Sequence, residues 1–169
     1  PSEMSRPYSI IIWGATGFTG GLVAEYFAES APKDITFAIA GRNVSKLESV
    51  YNRLVVLNPK LKGSIGKIVA DSKDEKSLDA MVKQADVIIT TVGPYAKYGL
   101  PLVDSCVRNG TDYVDLTGEP QFIKQSILNY HEKALQKGVS IVHSCGFDSI
   151  PSDLGVFLLA NYFKSKGLT

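Results

Sequence analysis

Short apolar runs alternate with helical stretches along almost the whole chain of 169 residues. Six runs are rich in β-branched residues and predict strands, at 8–13, 35–40, 66–71, 86–92, 111–116 and 139–144. A segment of helical spacing follows each run, and the fifth of these begins at Pro120 and stops at Gly138, the residue types that favour helix starts and ends. This regular alternation predicts an α/β fold built on a parallel sheet.

The predicted strands indicate that helices cover both faces of the sheet. The runs at 8–13 and 86–92 contain III and VIITTV, with no alternation of polar and apolar residues, and such strands are buried on both sides. We therefore expect a doubly wound parallel six-stranded sheet, the Rossmann fold, with strand order 3-2-1-4-5-6. We expect residues 8–169 to form this one domain and residues 1–7 to be flexible. The three residues before Met4 are expected to be a non-native leader.

Composition excludes several other classes of protein. The chain is 44% hydrophobic and 21% charged, as globular proteins are. With 18 basic and 17 acidic residues the net charge is +1, which argues against a nucleic-acid binder. No run reaches the roughly 18 apolar residues of a membrane span, and no signal peptide is evident. We expect an intracellular, cytoplasmic protein, with no metal site because its two cysteines and two histidines are widely spaced.

A glycine-rich segment between the first predicted strand and the first helix is the most specific motif. It consists of Gly14, Ala15, Thr16, Gly17, Phe18, Thr19 and Gly20. Gly14 permits a tight turn, Gly17 lets the backbone approach a pyrophosphate, and Gly20 lets the helix pack on the sheet. A glycine-rich turn without a ligand is the alternative, but the strand–turn–helix context favours a phosphate site at the helix N-terminus.

The end of the second predicted strand distinguishes NADP from NAD. An NAD site has an acidic residue there to bind the ribose, yet no Asp or Glu lies between Thr36 and Val44. Arg42 stands in that place, beside Asn43, and its guanidinium suits a 2′-phosphate and the adenine face. Lys46 is expected to add a second charge. NADP is therefore favoured over NAD, the alternative being a solvated helix start.

Two further loops follow predicted strands at the edge where ligands bind. Asp71 and Ser72 follow the third strand and either hydrogen-bond the adenine or cap the next helix. Val92, Gly93 and Pro94 follow the fourth strand, on the expected path of the nicotinamide. Glycine and proline also mark plain turns, which is the alternative there.

No catalytic residue is assigned from the sequence. Tyr162 and Lys166 match the Y-x-x-x-K pattern of short-chain dehydrogenases, but this loose motif lies on the last helix, one βα unit too late. Cys145 is expected to be a buried structural thiol because no helix begins next to it. His143 ends a strand and is expected to be a satisfied core histidine. Glu119 either faces substrate or stabilises a helix N-terminus.

Four segments carry a resemblance to a known family. WGATGFTG, AGRNVSKL, TTVGPYAKYGLPLVDSCVRNGTDYVDLTGE and HSCGFDSIPSDLG occur in that order and resemble the saccharopine dehydrogenase-like oxidoreductases, from about Tyr8 to Asn161. The resemblance implies a Rossmann domain followed by a substrate domain, and nicotinamide-dependent hydride transfer to an imine, carbonyl or enoyl group of an unknown substrate, with lipids among the candidates. It implies the same phosphate loop and Arg42 at the 2′-phosphate, and animal members are associated with lipid droplets and other membranes.

The expected function follows from the length of the chain. The six predicted strands use up the 169 residues, so we expect the substrate domain to be absent and the chain to bind NADP(H) without turning over substrate. A non-catalytic nucleotide-binding scaffold or sensor at a lipid-droplet or membrane surface is the alternative. Residues 156–163 are apolar on several faces and predict an exposed patch where a domain or partner docks. The sequence leaves a homo-oligomer open.

Overall fold

The computed structural model describes residues 6–32 and 34–167. Its six strands are β1 (Tyr8–Trp13), β2 (Phe37–Gly41), β3 (Gly66–Val69), β4 (Ala85–Thr90), β5 (Asp112–Asp115) and β6 (Ile141–Val142). They form one sheet in the order β3-β2-β1-β4-β5-β6, and every neighbouring pair is parallel. The predicted doubly wound α/β fold and its strand order are confirmed.

Helices connect the strands throughout. They are α1 (Phe18–Ser30), α2 (Val44–Leu57), α3 (Glu75–Val82), α4 (Tyr95–Asn109), α5 (Pro120–Lys137) and α6 (Ile150–Ser165), with a 3₁₀ turn at Pro59–Leu61. Helix α4 begins well before the predicted residue 100 and contains Pro101. Proline removes one intrahelical hydrogen bond, which is tolerated here because the next turns are anchored by the buried Leu102 and Val103.

Two apolar cores lie on opposite faces of the sheet. One core packs beneath α3, α4 and α5, and Tyr113 and Phe122 are among its largest fully buried side chains. The other lies beneath α1 and α2 around Ile12, Ile39 and Leu47. Right-handed crossovers require this arrangement, because the chain winds in one direction from β1 to β3 and in the other from β4 to β6.

One half of one face is not covered, contrary to expectation. Register places Val87 and Ile89 beside Ile10 and Ile12, which belong to the core under α1 and α2, and Val142 lies farther along this face, 48% exposed. The crossovers put α3, α4 and α5 on the other face, so within the described ranges only α6 remains to cover it. Helix α6 has no buried residue.

Helix α6 itself presents an apolar surface to solvent. Its segment 156–163 includes Phe157 and Leu158, which are 65% and 70% exposed, as predicted for a docking patch. No helix in the described ranges combines the length and apolar character needed to cross a bilayer. The uncovered half-face and α6 are therefore two apolar surfaces for which the described residues supply no partner.

Arg6 corrects the predicted boundary of the domain. Its guanidinium donates hydrogen bonds to the carbonyl oxygens of Ala85, Asn109 and Gly110 and to Oγ1 of Thr111. These contacts fix Arg6 against the amino ends of β4 and β5, although the sequence analysis placed it in a flexible segment. Residues 1–5 of that segment lie outside the described residues.

Candidate dinucleotide-binding site

The glycine-rich loop joins β1 to α1 at the carboxyl edge of the sheet. Gly14 has a φ of 91°, a conformation that favours glycine, and a Cβ there would lie 2.7 Å from Cγ2 of Val92. A Cβ on Gly20 would overlap the Gly14 carbonyl oxygen and lie 2.6 Å from the carbonyl carbon. Around Gly17 the nearest atom lies 3.4 Å from a built Cβ. The protein thus needs glycine at 14 and 20, whereas the space at 17 is open to a ligand.

The N-terminus of α1 has no side-chain cap and no acidic residue in its first turn. In three other helices a side-chain oxygen accepts hydrogen bonds from the N-terminal N–H groups. In α2, Oδ1 of Asn43 accepts from Lys46 N at 2.9 Å. Asp74 caps α3 in the same way, and Glu119 caps α4. Free N–H groups and the positive end of the helix dipole form an anion site. Helices α5 and α6 also lack a side-chain cap, but of the three uncapped helices α1 is the one that begins at the glycine-rich loop, at the carboxyl end of β1.

A cavity of about 250 Å³ lies directly above this loop. It brings together predicted residues from four separate parts of the chain: Gly14, Thr16, Gly17, Arg42, Ser72, Val92 and Gly93. The phosphate loop, the end of β2, the loop after β3 and the loop after β4 therefore meet at one site. Because these are the carboxyl ends of parallel strands at the switch between β1 and β4, the cavity has the position expected for a dinucleotide.

The other predicted residues of the glycine-rich loop lie outside that cavity. Ala15 is buried in the core and Gly20 is used in packing, while Thr19 is exposed. Phe18 is 86% exposed and lines a second groove together with Leu22.

The remaining predicted contacts have local roles as well. Asn43 uses its side-chain oxygen to cap α2, and Lys46 is exposed in the first turn of that helix. Oδ1 of Asp71 accepts from Lys73 N at 2.9 Å, and Asp74 rather than Asp71 caps α3. Pro94 is exposed at the start of α4. None of them lines the cavity, so their contact with a cofactor stays a prediction.

The sequence did not predict four of the lining residues: Trp13, Gly41, Thr91 and Tyr98. Thr91 donates from Oγ1 to the Trp13 carbonyl at 3.2 Å and so joins the ends of β1 and β4. Tyr98 lies in the first turn of α4. Because prolines at 94 and 101 flank this segment, the sequence pattern placed the start of the helix too late. Tyr98 can be recognised as a candidate site residue only when α4 is known to begin at Tyr95, because this start places Tyr98 in the first turn of the helix.

Glu119 stabilises a helix N-terminus rather than facing the cavity. Its two carboxylate oxygens accept hydrogen bonds from the backbone N–H groups of Tyr95 and Ala96 at 2.7 and 2.8 Å. The helix concerned is α4, which belongs to the preceding βα unit. Glu119 thereby ties the loop after β5 to the loop after β4.

Replacing Glu119 with Gln should lower the free energy of unfolding by about 1 kcal/mol, as the loss of a helix cap does. Glutamine retains one acceptor oxygen but presents an amide donor to the second N–H group. Urea denaturation would measure this change, with Glu132→Gln on the exposed surface of α5 as the control. Equal stability of both variants and the wild type would contradict the role assigned to Glu119.

A buried hydrogen-bond network connects β5, β6 and α5. Oδ2 of Asp115 lies 2.7 Å from Nδ1 of His143, and Nε2 of His143 lies 3.0 Å from Oγ of Ser126. Burial acts to raise the pKa of Asp115, but hydrogen bonds from His143, the Thr117 N–H and Tyr113 outweigh it and hold the pKa below its ordinary value. His143 is a satisfied core histidine, as expected.

Neither Cys145 nor the pair of Tyr162 and Lys166 forms a reactive site. Cys145 is exposed, contrary to the prediction, because β6 ends at Val142 and the loop after it lies at the surface. Desolvation and Asp115 raise the pKa of the Cys145 thiol, so it is a poor nucleophile. Tyr162 and Lys166 are exposed at the carboxyl end of α6 and line no part of the cavity. Among the described residues, no cluster of His, Cys, Asp and Glu could hold a metal.

Comparison with protein families decides the identity of the domain. The family model of the saccharopine dehydrogenase NADP-binding domain matches residues 10–142. The chain belongs to this family. The saccharopine dehydrogenase-like resemblance read from the four segments is therefore confirmed, and the cavity lies in a dinucleotide-binding domain.

Curated relatives of this saccharopine dehydrogenase NADP-binding domain are much longer. The trans-acting enoyl reductase of Mycobacterium bovis is 46% identical over 158 residues, covering 94% of this chain and 37% of the relative. The human saccharopine dehydrogenase-like oxidoreductase is 43% identical over 163 residues, covering 92% of this chain and 38% of the relative. The chain thus spans less than two fifths of the length of either protein.

Solved structures share the fold. Apo saccharopine dehydrogenase (L-Glu forming) from Saccharomyces cerevisiae aligns with a TM-score of 0.75 and 20% identity, covering 95% of this chain and 32% of that chain. AtPrR2, solved with NADP+ and (+)-pinoresinol, aligns with a TM-score of 0.55 and 13% identity, covering 83% of this chain and 50% of that chain.

Proposed function

We propose that this domain binds NADP(H) and presents it for hydride transfer. The observation that carries the proposal is Arg42, which follows β2 and lines the same cavity as the uncapped N-terminus of α1. An NAD site has a carboxylate at this position, whereas a guanidinium binds a phosphate with two charge-assisted hydrogen bonds. The α1 amides would hold the pyrophosphate and Arg42 the 2′-phosphate. Lys46, Asn43 and Asp71 are proposed as peripheral contacts.

The residues of the cavity fit the cofactor, and Arg42 and Tyr98 are the ionisable side chains among them. Its lining contains no Asp, Glu, His or Lys, and Glu119 is engaged by α4. Bound NADPH supplies a hydride at its nicotinamide. The chain's own part is to bind and orient that ring along Val92, Gly93 and Pro94. We infer that the residues that polarise the substrate belong to a part of the whole protein other than this cavity.

The reduction of an activated C=C, C=O or C=N bond is the reaction proposed for the whole protein. The name of the Mycobacterium bovis relative, a trans-acting enoyl reductase, supports the enoyl member of that set. A lipid or other small-molecule substrate would reach the nicotinamide through the substrate domain that family resemblance implies. An intracellular location with association to lipid droplets or membranes rests on that resemblance alone.

A titration with NADPH and NADH side by side tests the cofactor assignment. Arg42→Ala should weaken NADPH binding about 10- to 100-fold, because hydrogen bonds to a charged group contribute about 1.5–3 kcal/mol, and it should leave NADH binding within about threefold. Lys137→Ala, a cation at the far end of α5, is the control and should change neither. Wild-type protein that binds NADH as tightly as NADPH would contradict the 2′-phosphate site.

A further inference from the structure

Two aromatic residues line the cavity, Trp13 and Tyr98. Trp13 is 2% exposed and belongs to the apolar core, so Tyr98 is the one whose role neither the core, the phosphate loop nor the 2′-phosphate site explains. Its side chain is half-buried, and its N–H donates to the Pro94 carbonyl at 3.1 Å in the first turn of α4. The ammonium group of Lys97 lies 5.1 Å from the centroid of the Tyr98 ring. The ring lines the cavity together with Arg42 and Ser72.

Helix geometry places Tyr98 at the end of the cavity near β3. Ser72 also lines an adjoining groove, whose other wall includes Leu100 and Pro101 of α4. Residues three apart lie on the same side of a helix, so Tyr98 and Pro101 both face the loop that follows β3. Tyr98 therefore lies beside Ser72, farther from the nicotinamide path than Gly93.

The chemistry of the cofactor determines what occupies this end. Adenine is bonded to C1′ of its ribose, next to the C2′ that carries the 2′-phosphate. A phosphate held by Arg42 therefore places the adenine within a few ångströms of the guanidinium. The cavity that Arg42 lines also contains Ser72, from the loop after β3, and the ring of Tyr98, from the first turn of α4. An aromatic ring offers a base a flat apolar surface that tolerates any purine.

We propose that the ring of Tyr98 is the surface on which the adenine of the cofactor stacks. The proposal rests on the proposed function, since it requires the nucleotide in this cavity. Tyr98 then contributes to binding of both NADPH and NADH, because the two share the adenine. Arg42 alone distinguishes between them.

Titrations of Tyr98 variants test this assignment, with quenching of the single tryptophan, Trp13, as a readout because it lines the cavity. Tyr98→Ala and Tyr98→Leu should each weaken NADPH, NADH and 2′,5′-ADP by about tenfold, the loss expected when one base–aromatic stack is removed. Tyr98→Phe retains the ring and should bind all three within about twofold of wild type. The ratio of NADPH to NADH affinity should be the same in every Tyr98 variant.

The outcomes separate the two proposals. Unchanged 2′,5′-ADP binding in folded Tyr98→Leu, or a loss confined to NADPH, would overturn the stacking role while leaving the NADP(H) site intact. Failure of Tyr98→Phe to restore binding would overturn it too, because the hydroxyl or the fold would then be responsible. Wild-type protein that binds none of the three nucleotides would overturn the proposed function as well. Circular dichroism establishes that each variant is folded.

Discussion

Gly20→Ala is expected to abolish NADPH binding and to lower the free energy of unfolding by about 3 kcal/mol. The new Cβ would lie 2.6 Å from the carbonyl carbon of Gly14 and 2.7 Å from Oγ1 of Thr91. Backbone atoms cannot rotate away as a side chain does, so α1 or the loop must move. Either movement displaces the amides that are proposed to hold the pyrophosphate. Urea denaturation and an NADPH titration measure the two effects.

Gly21→Ala provides a matched control one residue farther along the same helix. The nearest atom to its Cβ would be Nη2 of Arg53 at 2.9 Å, the end of a flexible side chain that can shift. Alanine also has the higher helix propensity, so stability should stay equal or rise by up to about 1 kcal/mol. NADPH binding should be retained. If Gly20→Ala behaved like Gly21→Ala, the close approach of loop and helix would not be a requirement of the site.

Asp115→Asn should lower the free energy of unfolding by about 3 kcal/mol, because it removes a buried carboxylate and leaves its hydrogen-bond donors without an acceptor. Asp115 is 2% exposed and accepts hydrogen bonds from Tyr113, the Thr117 N–H and the Ser144 N–H while contacting His143. An amide in its place presents donors to groups that also donate. Asp112→Asn on the same strand is the control, because that carboxylate accepts one bond in an exposed setting.

The pH dependence of stability provides a second measurement on the same network. The folded-state pKa of Asp115 is lower than its ordinary value, which is about 3.9 in an unfolded chain. Its contribution is therefore fully present above about pH 4 and is lost as the pH falls through the lowered folded-state pKa. Wild-type protein should lose stability over this acidic range more steeply than Asp115→Asn. Parallel curves for the two proteins would show that Asp115 carries no coupled charge.

The sequence was sufficient for features that depend on local pattern. Apolar runs identified the six strands, and the Rossmann fold that they indicated implied the strand order. Features that depend on contacts between distant segments were missed or wrong. Glu119 caps a helix that begins 24 residues earlier in the chain, and no spacing rule indicates such a pair. Cys145 was expected to be buried because no helix begins next to it, yet pairing with β5 ends at Val142 and Cys145 lies exposed in the loop that follows.

The candidate site shows the same division. Gly14, Gly17 and Arg42 were recognised because each stands at a fixed distance from a strand end. Tyr98 was missed because its position relative to the cavity depends on how α4 packs against the loop after β3. Prolines flanking that segment obscured the start of the helix, and only the fold shows that its first turn faces the same space as Ser72.

The uncovered half of the sheet has a consequence for the order in which the domain is assembled during synthesis. Helices α1 and α2 cover one face of the segment from β1 to β3, and α3, the next helix of the chain, packs on its other face. Helices cover one face of the segment from β4 to β6. Its other face, which includes Val87, Ile89 and Val142, stays exposed until another part of the protein packs on it. A ribosome delivers domains from the N-terminus onwards. The half that carries the glycine-rich loop and Arg42 can therefore be covered on both sides once α3 has formed, while its neighbour still exposes apolar surface to chaperones.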